Sequence, residues 1–269
     1  MGEPFVAMVM PRGDASIRAQ GAARGFYGLP TKRGTPRIPL TTQTSLAIRC
    51  FNLLLCEVLN LRKEHPITHL AMMHDDICPD DGWLDVLLDE LDRTGADMVS
   101  AVVPIKNAAG LTSTAVNREG EPWYVRRLTM HEVYELPETF GLDDISWRDP
   151  GSQLVVNSAL WVIRTDAPWF RASFPEDNET GRLRVAPLAF KDHARIVQLP
   201  SGKYASEDIS EDWDWSRQLL GLGLKLMATR KVGLHHERPE FHNRGVWGSQ
   251  TTDEAYTRMM GLRMPLERS

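Results

Sequence analysis

Residues 68–84 read Thr-His-Leu-Ala-Met-Met-His-Asp-Asp-Ile-Cys-Pro-Asp-Asp-Gly-Trp-Leu, and they carry the clearest indication of the fold class. Its apolar run at 69–73 is typical of a strand that is buried on both faces, as in a parallel sheet. The run leads directly into a polar turn, His-Asp-Asp at 74–76. Pro-Asp-Asp at 79–81 then begins a helix, and either of its aspartates is the expected N-cap. This order of strand, polar turn and helix indicates an α/β fold.

The segments before and after this stretch continue the alternation. An apolar run at 5–10 predicts a first strand, and the Gly-, Pro- and Arg-rich residues 11–40 predict a long loop. Apolar residues recur on one face of a predicted helix at 46–59, for which threonines at 41–44 are candidate N-caps. Residues 97–104 predict another strand. We therefore expect an α/β fold with a mostly parallel central sheet flanked by helices.

The alternation is weaker after Pro104. The pattern there predicts a helix from about Ser210 to Leu220, and short strands at 123–126, 153–156, 160–164, 225–228 and 231–234. Because no repeat or linker interrupts the chain, we expect one domain over residues 1–245. The remaining residues, 246–269, are expected to form an irregular tail that packs on this domain, with room for a short helix near 253–260.

The composition narrows the class of protein. Of the 269 residues, 42% are hydrophobic and 25% are charged, which is typical of a folded globular protein. The net charge of −5 argues against a protein whose main partner is nucleic acid, although residues 12–37 carry six basic residues opposed only by Asp14. This basic segment is either a solvated loop or a loop that closes over phosphates.

Cysteine content and hydropathy predict a cytoplasmic location. The three cysteines, Cys50, Cys56 and Cys78, are few and odd in number, so we expect a reducing compartment and no disulfide framework. No signal peptide is recognisable. The longest apolar stretch, at 53–61, is interrupted by polar residues and is too short to cross a bilayer, so we expect no integral membrane segment.

The first of three polar clusters is the turn that follows the predicted strand at 69–73. If the backbone stays extended, His74 and Asp76 project to one side and Asp75 projects to the other. An imidazole and a carboxylate on the same side can hold a divalent cation such as Mg²⁺ or Mn²⁺. The alternative is a turn whose aspartates only cap backbone groups.

The second cluster consists of carboxylates around the start of the late helix, namely Glu207, Asp208, Glu211, Asp212 and Asp214. Mutual repulsion raises the pKa of such groups and can create a general base, whereas acidic residues in a first helical turn are also favoured by the helix dipole. The third cluster, His235-His236, ends a predicted strand. These histidines are either hydrogen-bonded structural residues or metal ligands.

In this order the clusters resemble the motifs of GT-A glycosyltransferases, especially the inverting family-2-like group and its viral and bacterial relatives. Residues 68–84 are similar to the family's segment of strand, Asp-any-Asp, Pro and Trp-Leu helix, which binds the metal and the donor diphosphate. Residues 210–226 resemble the Glu-Asp helix that carries the catalytic base. The pair His235-His236 falls where many members place a late histidine ligand. The resemblance covers about residues 5–245.

The resemblance implies a single GT-A, Rossmann-like domain and a definite activity. A sugar would pass from a nucleotide-diphosphate sugar, with UDP-sugars favoured, to an acceptor hydroxyl with inversion and with help from a divalent metal. The chain departs from the motif because His74 replaces its first aspartate, which favours Mn²⁺ over Mg²⁺. Two alternatives remain open: Asp75 takes that role, or Asp76 alone binds the metal while His74 contacts the donor.

The resemblance also implies roles for individual residues. Asp76 is expected to hold the metal, helped by His74 or Asp75 and by one member of the pair His235-His236. The expected bases, in order of preference, are Asp212, Glu211 and Asp214. The expected donor contacts are Pro11, Arg12, Arg49 and Asp75. The expected acceptor contacts are Trp213 and Asp214.

Three other functions compete with glycosyl transfer. A metal-dependent phosphohydrolase would use His74-Asp75 as its His-Asp pair, but such enzymes are usually all-helical. A nucleotidyltransferase would need a Gly-rich basic loop after the first strand, which Pro-Arg-Gly-Asp at 11–14 matches only loosely. A carbohydrate-binding module would not need the late acidic helix. The acceptor stays open among polysaccharide, protein, lipid-linked glycan and a hydroxymethylated base in viral DNA.

Overall fold

The computed structural model describes residues 3–13, 20–166 and 190–263, so that Asp14 and Arg18 of the basic segment lie outside the described residues. A seven-stranded sheet forms the centre. Its strands, in spatial order, are β2 (Arg37–Gln43), β1 (Val6–Arg12), β3 (His69–Met73), β10 (Leu160–Arg164), β5 (Met98–Ala101), β13 (Leu226–Thr229) and β8 (Thr139–Phe140). Only β10 and β8 run against the other five strands. The expected mixed α/β fold with a large, mostly parallel sheet is confirmed.

Helices cover both faces of this sheet. Helices α2 (Ala47–Leu61) and α5 (Glu211–Gly221) contribute to the core on one face, and α1 (Gln20–Tyr27) and α3 (Trp83–Thr94) contribute on the other. Strand β1 shows why its sequence is continuously apolar. Ala7 and Val9 belong to the first core and Val6 and Met8 to the second, because successive side chains of a strand point to opposite faces.

Smaller elements surround the central sheet. Strand β4 (Ile77–Pro79) pairs antiparallel with β14 (Leu234–His236), and β11 (His193–Gln198) pairs antiparallel with β12 (Tyr204–Ile209). A three-stranded antiparallel sheet has the order β7 (Glu121–Thr129), β6 (Leu111–Arg118), β9 (Ser152–Val155). The remaining helical elements are α4 (Met130–Glu135), a 3-10 helix at Leu142–Asp144 and α6 (Thr252–Arg263).

Two features of the segment before α3 differ from expectation. Residues 11–40 are not one long loop, because they contain α1 and most of the edge strand β2. The N-cap of α3 is Gly82, with φ +81°, rather than Asp80 or Asp81. Both aspartates instead form ion pairs, Asp80 with Arg244 and Asp81 with Arg24. The N-terminal backbone of α3 therefore receives no side-chain cap.

The N-cap of α2 also differs from the threonines expected at 41–44. Thr41 and Thr42 belong to β2, which extends the parallel sheet beside β1. Leu46 is the N-cap residue and makes no side-chain cap, while Thr44 Oγ1 accepts a hydrogen bond from the Leu46 N–H at 3.3 Å. Sheet pairing thus takes priority over the local capping preference of these threonines.

The C-terminal segment is more regular than expected. Helix α6 covers Thr252–Arg263, and Ala255 is buried against Ala109 and Leu111. The Tyr256 hydroxyl accepts a hydrogen bond from the Arg127 N–H at 3.1 Å. Among the described residues, no helix has the length and apolar character needed to span a membrane.

Close backbone contact beside α6 makes Gly110 hard to replace. Gly110 and Gly120 both have a left-handed backbone, with φ of +73° and +76°. A Cβ on Gly110 would collide with the carbonyl oxygen of Trp247, whereas a Cβ on Gly120 would meet nothing within 4 Å. Gly120→Ala should therefore cost about 1 kcal/mol for the backbone conformation alone.

For Gly110→Ala we expect a loss in the free energy of unfolding that is about 1–3 kcal/mol larger, because the C-terminal segment must move away. Urea unfolding of both variants measures the difference directly. Equal losses for the two variants would show that residues 247–248 do not pack against Gly110.

Candidate functional site

A cavity of about 240 Å³ opens at the carboxyl ends of β1 and β3, where ligands usually bind in open α/β sheets. Thr44, Ser45, Ala47, Cys50 and Phe51 form part of its wall, and predicted site residues form much of the rest: Pro11, Arg12, His74, Asp75, Asp76 and Glu211. A cavity of about 270 Å³ lies beside His69 and Arg164, at the opposite ends of the central strands. The two volumes are similar, so it is the chemistry of the lining that distinguishes the first.

The polar turn folds differently from the extended backbone assumed above. Residues 74–76 leave β3 as a turn, in which the Ile77 N–H donates to the His74 carbonyl at 3.3 Å. Consequently His74, Asp75 and Asp76 all line the same cavity instead of projecting alternately. Strand β4 follows at once and pairs with β14, with His236 opposite Ile77. This pairing brings the late histidine beside the turn.

Asp76 is the centre of the polar network. Its Oδ2 accepts a hydrogen bond from Lys106 Nζ at 2.8 Å and lies 3.2 Å from His236 Nε2. The residue is 8% exposed, and burial by itself would raise the pKa of its carboxyl group. The hydrogen bond and charge of His236, with His74 and Lys106, instead hold the pKa well below its usual range. Asp76 is therefore a buried carboxylate that depends on neighbouring cations.

His236 is oriented as a metal-binding histidine would be. Its Nδ1 lies 2.8 Å from the carbonyl oxygen of Pro104, and a carbonyl oxygen only accepts, so Nδ1 carries the proton. Nε2, 3.2 Å from Asp76 Oδ2, must carry a proton for the hydrogen bond that supports this carboxylate, and it would present a lone pair only where a bound cation replaced that proton. A hydrogen bond from the remote nitrogen to a carbonyl is the usual way in which a ligating histidine is fixed.

The donor set fits a small divalent cation. Two ligands that lie about 2.1 Å from one cation at roughly 90–100° are about 3.0–3.2 Å apart, and His236 Nε2 and Asp76 Oδ2 are 3.2 Å apart. Among the described residues, Asp76 Oδ1 is buried and has no hydrogen-bond partner. A carboxylate and an imidazole suit Mn²⁺, so the cation expected from the sequence is chemically compatible with these residues.

The protein supplies only part of a coordination shell. Within the described ranges, no group of three or more His, Cys, Asp or Glu side chains is arranged to hold a metal ion. Mg²⁺-like cations are often held by one or two carboxylates together with substrate phosphates and water. Asp76 and His236 could therefore provide two ligands at most, and a metal bound here would need others from substrate phosphates or water.

His74 lies between Asp76 and the acidic start of α5. Its ring stacks on Phe51, with centroids 5.3 Å apart, and its Nε2 lies 3.4 Å from Ser158 Oγ. The Ser158 hydroxyl lies 3.1 Å from Glu211 Oε1 and donates to it. Burial lowers the pKa of His74 against the opposing charges of Asp76 and Glu211. A neutral His74 is therefore expected at neutral pH.

The first two residues of α5 differ in their surroundings. Glu211 lines the cavity, whereas Asp212 is not among the lining residues. The Asp212 carboxylate accepts hydrogen bonds from the Ser210 hydroxyl and, at 2.8 Å, from the Trp213 N–H. Burial, followed by the charge of Glu211, raises the pKa of Asp212 to about 7, although Ser210 and Arg127 act in the opposite direction. Such a carboxyl can exchange a proton near neutral pH.

Several residues of the predicted site lie elsewhere. His235 pairs with Cys78, one register position before the pair of His236 with Ile77. Burial and then the charge of Arg244 lower the pKa of His235, so its neighbours differ from those of His236. Arg49 is exposed on α2 and is not among the residues that line the cavity.

The two predicted acceptor contacts are held by structural interactions. Asp214 lies 3.3 Å from His193 Nε2 and accepts a hydrogen bond from Gln218 at 2.6 Å. Trp213 is 7% exposed, and its indole N–H donates to the Ser113 carbonyl at 3.1 Å. The guanidinium of Arg127 lies over the Trp213 ring, 4.3 Å from its centroid. Both side chains therefore support the start of α5.

Three further residues of the site were not found from the sequence. Lys106 and Glu237 form an ion pair at 3.0 Å beside Asp76, and Ser158 joins His74 to Glu211. Lys106 follows the end of a predicted strand, but a single lysine in a loop does not by itself indicate a functional site. Glu237 adjoins the histidine pair and has a left-handed backbone, with φ +62°, which is uncommon for a residue with a side chain.

Comparison with known proteins adds little to this geometry. No family model matches the chain, and no curated protein matches it either. Among solved structures, the chain is similar to A197 from STIV, with 11% sequence identity, a TM-score of 0.48, and 92% of this chain and 95% of that chain covered. The functional account therefore rests on the residues of the site itself.

Proposed function

We propose that the chain is a metal-dependent glycosyltransferase with a GT-A domain, which transfers a sugar from a nucleotide-diphosphate sugar to an acceptor hydroxyl with inversion. The observation that carries the proposal is that Asp76 and Glu211, from distant segments, line one cavity, and that His236 from a third segment lies 3.2 Å from Asp76 Oδ2. The turn after β3 provides Asp76, the end of β14 provides His236, and the start of α5 provides Glu211. Asp76 and His236 suit a cation that would bind the donor diphosphate, and Glu211 brings the acidic start of α5, where the base is proposed, to the same cavity.

The donor would occupy the cavity with its diphosphate toward Asp76 and His236. Pro11 and Arg12, at the end of β1, line the part of the cavity proposed for the nucleotide. The divalent cation, when bound, supplies positive charge that stabilises the departing nucleoside diphosphate. Asp76 would supply the negative charge that holds the cation, and His236 would be fixed toward it by the hydrogen bond from its Nδ1 to the Pro104 carbonyl.

The acidic start of α5 would handle the proton. As the acceptor oxygen bonds to the anomeric carbon, the bond from that carbon to the diphosphate oxygen breaks, and the hydroxyl proton moves to a carboxylate. We propose Asp212 as this base, because its pKa of about 7 suits proton transfer at neutral pH. Glu211 raises that pKa and faces the cavity, which makes it the alternative base.

The proposal extends to the identity of the sugar nucleotide and of the acceptor. A UDP-sugar and Mn²⁺ are the first combination to test, and the acceptor is one of polysaccharide, protein, lipid-linked glycan or a hydroxymethylated DNA base. We place the activity in the cytoplasm, since Cys50, Cys56 and Cys78 are all free thiols.

Thermal-shift screening against nucleotide sugars, with Mn²⁺ or with EDTA, tests the proposal. At a ligand concentration about a hundred times Kd, we expect Tm to rise by roughly 5–8 °C, and only when Mn²⁺ is present. Chromatography of the turnover products should detect a nucleoside diphosphate, whereas a nucleotidyltransferase would release pyrophosphate. The absence of a shift with every nucleotide in Mn²⁺ would argue against any nucleotide-dependent function.

A further inference from the structure

We propose that Lys106 is an internal competitor of the divalent cation, and that it makes metal binding dependent on the donor diphosphate. This inference rests on the proposed function but concerns a residue to which that function gives no role. Lys106 Nζ lies 2.8 Å from Asp76 Oδ2, the same oxygen that faces His236 Nε2 at 3.2 Å. The ammonium group thus holds the one carboxylate oxygen that a bridging cation needs.

The ammonium group of Lys106 is held by two carboxylates, those of Asp76 and Glu237. Burial would lower its pKa, but the hydrogen bonds and charges of Asp76 and then Glu237 raise it on balance, so the side chain stays charged. Its side chain is 34% exposed and that of Asp76 is 11% exposed, which places the pair between the interior and solvent. An ammonium group and a divalent cation bound to the same carboxylate oxygen would repel one another strongly, because the partly buried pair is only weakly screened by solvent.

Glu237 provides a second partner for the displaced ammonium. Its Oε2 lies 3.0 Å from Lys106 Nζ, and its backbone N–H donates to the Asp76 carbonyl at 2.6 Å. That backbone bond holds Glu237 in its left-handed conformation beside the turn. Lys106 can therefore leave Asp76 and still keep Glu237 as an anionic partner, which makes its exchange with a cation feasible.

Asp76 itself shows that the carboxylate is not saturated. It is 8% exposed, and its Oδ1 is buried with no hydrogen-bond partner among the described residues, although Oδ2 has two. An unsatisfied buried carboxylate oxygen is costly, so a cation bound to this carboxylate would relieve a cost that the ion pair with Lys106 leaves in place.

A bound diphosphate would favour replacement of the Lys106 ammonium by the metal at Asp76. Alone, the cation must displace Lys106 from Asp76, so binding is weak. When a nucleoside diphosphate is present, its oxygens both ligate the cation and offer the Lys106 ammonium a new anionic partner. Metal and diphosphate should therefore bind with positive coupling, and linkage requires each to tighten the other by the same factor.

The test measures free Mn²⁺ by room-temperature electron paramagnetic resonance during titration of the full chain, with and without UDP. Protein-free titrations correct for Mn²⁺ bound by UDP itself. Wild type is compared with Lys106→Met and Lys106→Gln, and with Lys63→Met as a control, because Lys63 is an exposed lysine that follows α2. Unfolding curves establish that each variant is folded.

The proposal predicts that wild type and Lys63→Met bind Mn²⁺ weakly alone and at least tenfold more tightly with UDP. Both Lys106 variants should bind Mn²⁺ alone at least tenfold more tightly than wild type, and UDP should add less than it adds to wild type. Unchanged or weaker Mn²⁺ binding by the Lys106 variants overturns the inference, while UDP-dependent Mn²⁺ binding by wild type would leave the proposed function intact. If no variant binds Mn²⁺ even with UDP, the proposed function fails as well.

Discussion

Replacing Asp76 with asparagine should lower the rate of sugar transfer by a factor of about 10²–10³ and abolish the dependence of nucleotide binding on Mn²⁺. Asparagine keeps the shape of the side chain but removes the charge that Lys106 and His236 both contact. The cation would then have one strong protein ligand instead of two, and the departing diphosphate would lose its stabilising charge. Loss of one such electrostatic contribution usually costs a factor of 10²–10³ or more.

Asp81→Asn is the matched control for this substitution. Asp81 lies five residues further along the chain, on the surface, and forms an ion pair with Arg24. An exposed pair of this kind contributes little to stability, so Asp81→Asn should keep wild-type activity and metal dependence. Asp76→Asn with near-normal transfer, in a protein that folds as well as the control, would remove Asp76 from the mechanism.

Replacing Asp212 with asparagine should lower the transfer rate by a factor of about 10²–10⁴, the usual contribution of a general base. In the wild type the base must be deprotonated, and its pKa is about 7. The rate should therefore rise with pH across roughly 6–8 and level off above that range. Initial rates measured across pH with a saturating donor check this profile.

Glu211→Gln separates the two carboxylates. The charge of Glu211 is, after burial, the main cause of the raised pKa of Asp212. Removing that charge should lower the pKa of Asp212, so the rising part of the pH–rate profile should move to lower pH while catalysis persists. If Glu211→Gln instead loses the activity and Asp212→Asn retains it, Glu211 is the base.

The same pKa shift has a consequence for stability. In the unfolded chain an aspartyl carboxyl has a pKa near 3.9, well below the value of about 7 for Asp212 in the folded protein. The folded state therefore binds the proton more tightly, and the free energy of unfolding falls as pH rises from about 4 to 7. Asp212→Asn removes this loss, so the inactive variant should be more stable than wild type at pH 8 by about 1–3 kcal/mol. Urea unfolding at pH 5 and pH 8 measures the change.

The sequence located the elements of the site that depend on local pattern. The apolar run at 69–73 became β3, the polar turn followed it, and the acidic helix began after Ser210. These features could be predicted because continuous apolar runs, turn residues and an N-terminal acidic turn each act within a few residues.

The features that depend on distant pairing could not be predicted. Strands β4 and β14 have three residues each and no alternating pattern, yet their register decides that His236 rather than His235 faces Asp76. Lys106 reaches the same carboxylate from a loop without a motif. The backbone turn at 74–76 likewise brings all three of its side chains to one cavity, which the assumption of an extended chain excluded.

The most direct measurement is pulsed electron paramagnetic resonance of Mn²⁺ bound to the protein with UDP. Such spectra resolve magnetic coupling of the metal to a ligating nitrogen and to diphosphate phosphorus. We expect both couplings in the wild type and in His235→Gln, and loss of the nitrogen coupling in His236→Gln alone. Phosphorus coupling without nitrogen coupling in the wild type, or nitrogen coupling that survives in His236→Gln, would contradict a cation shared by Asp76, His236 and the diphosphate.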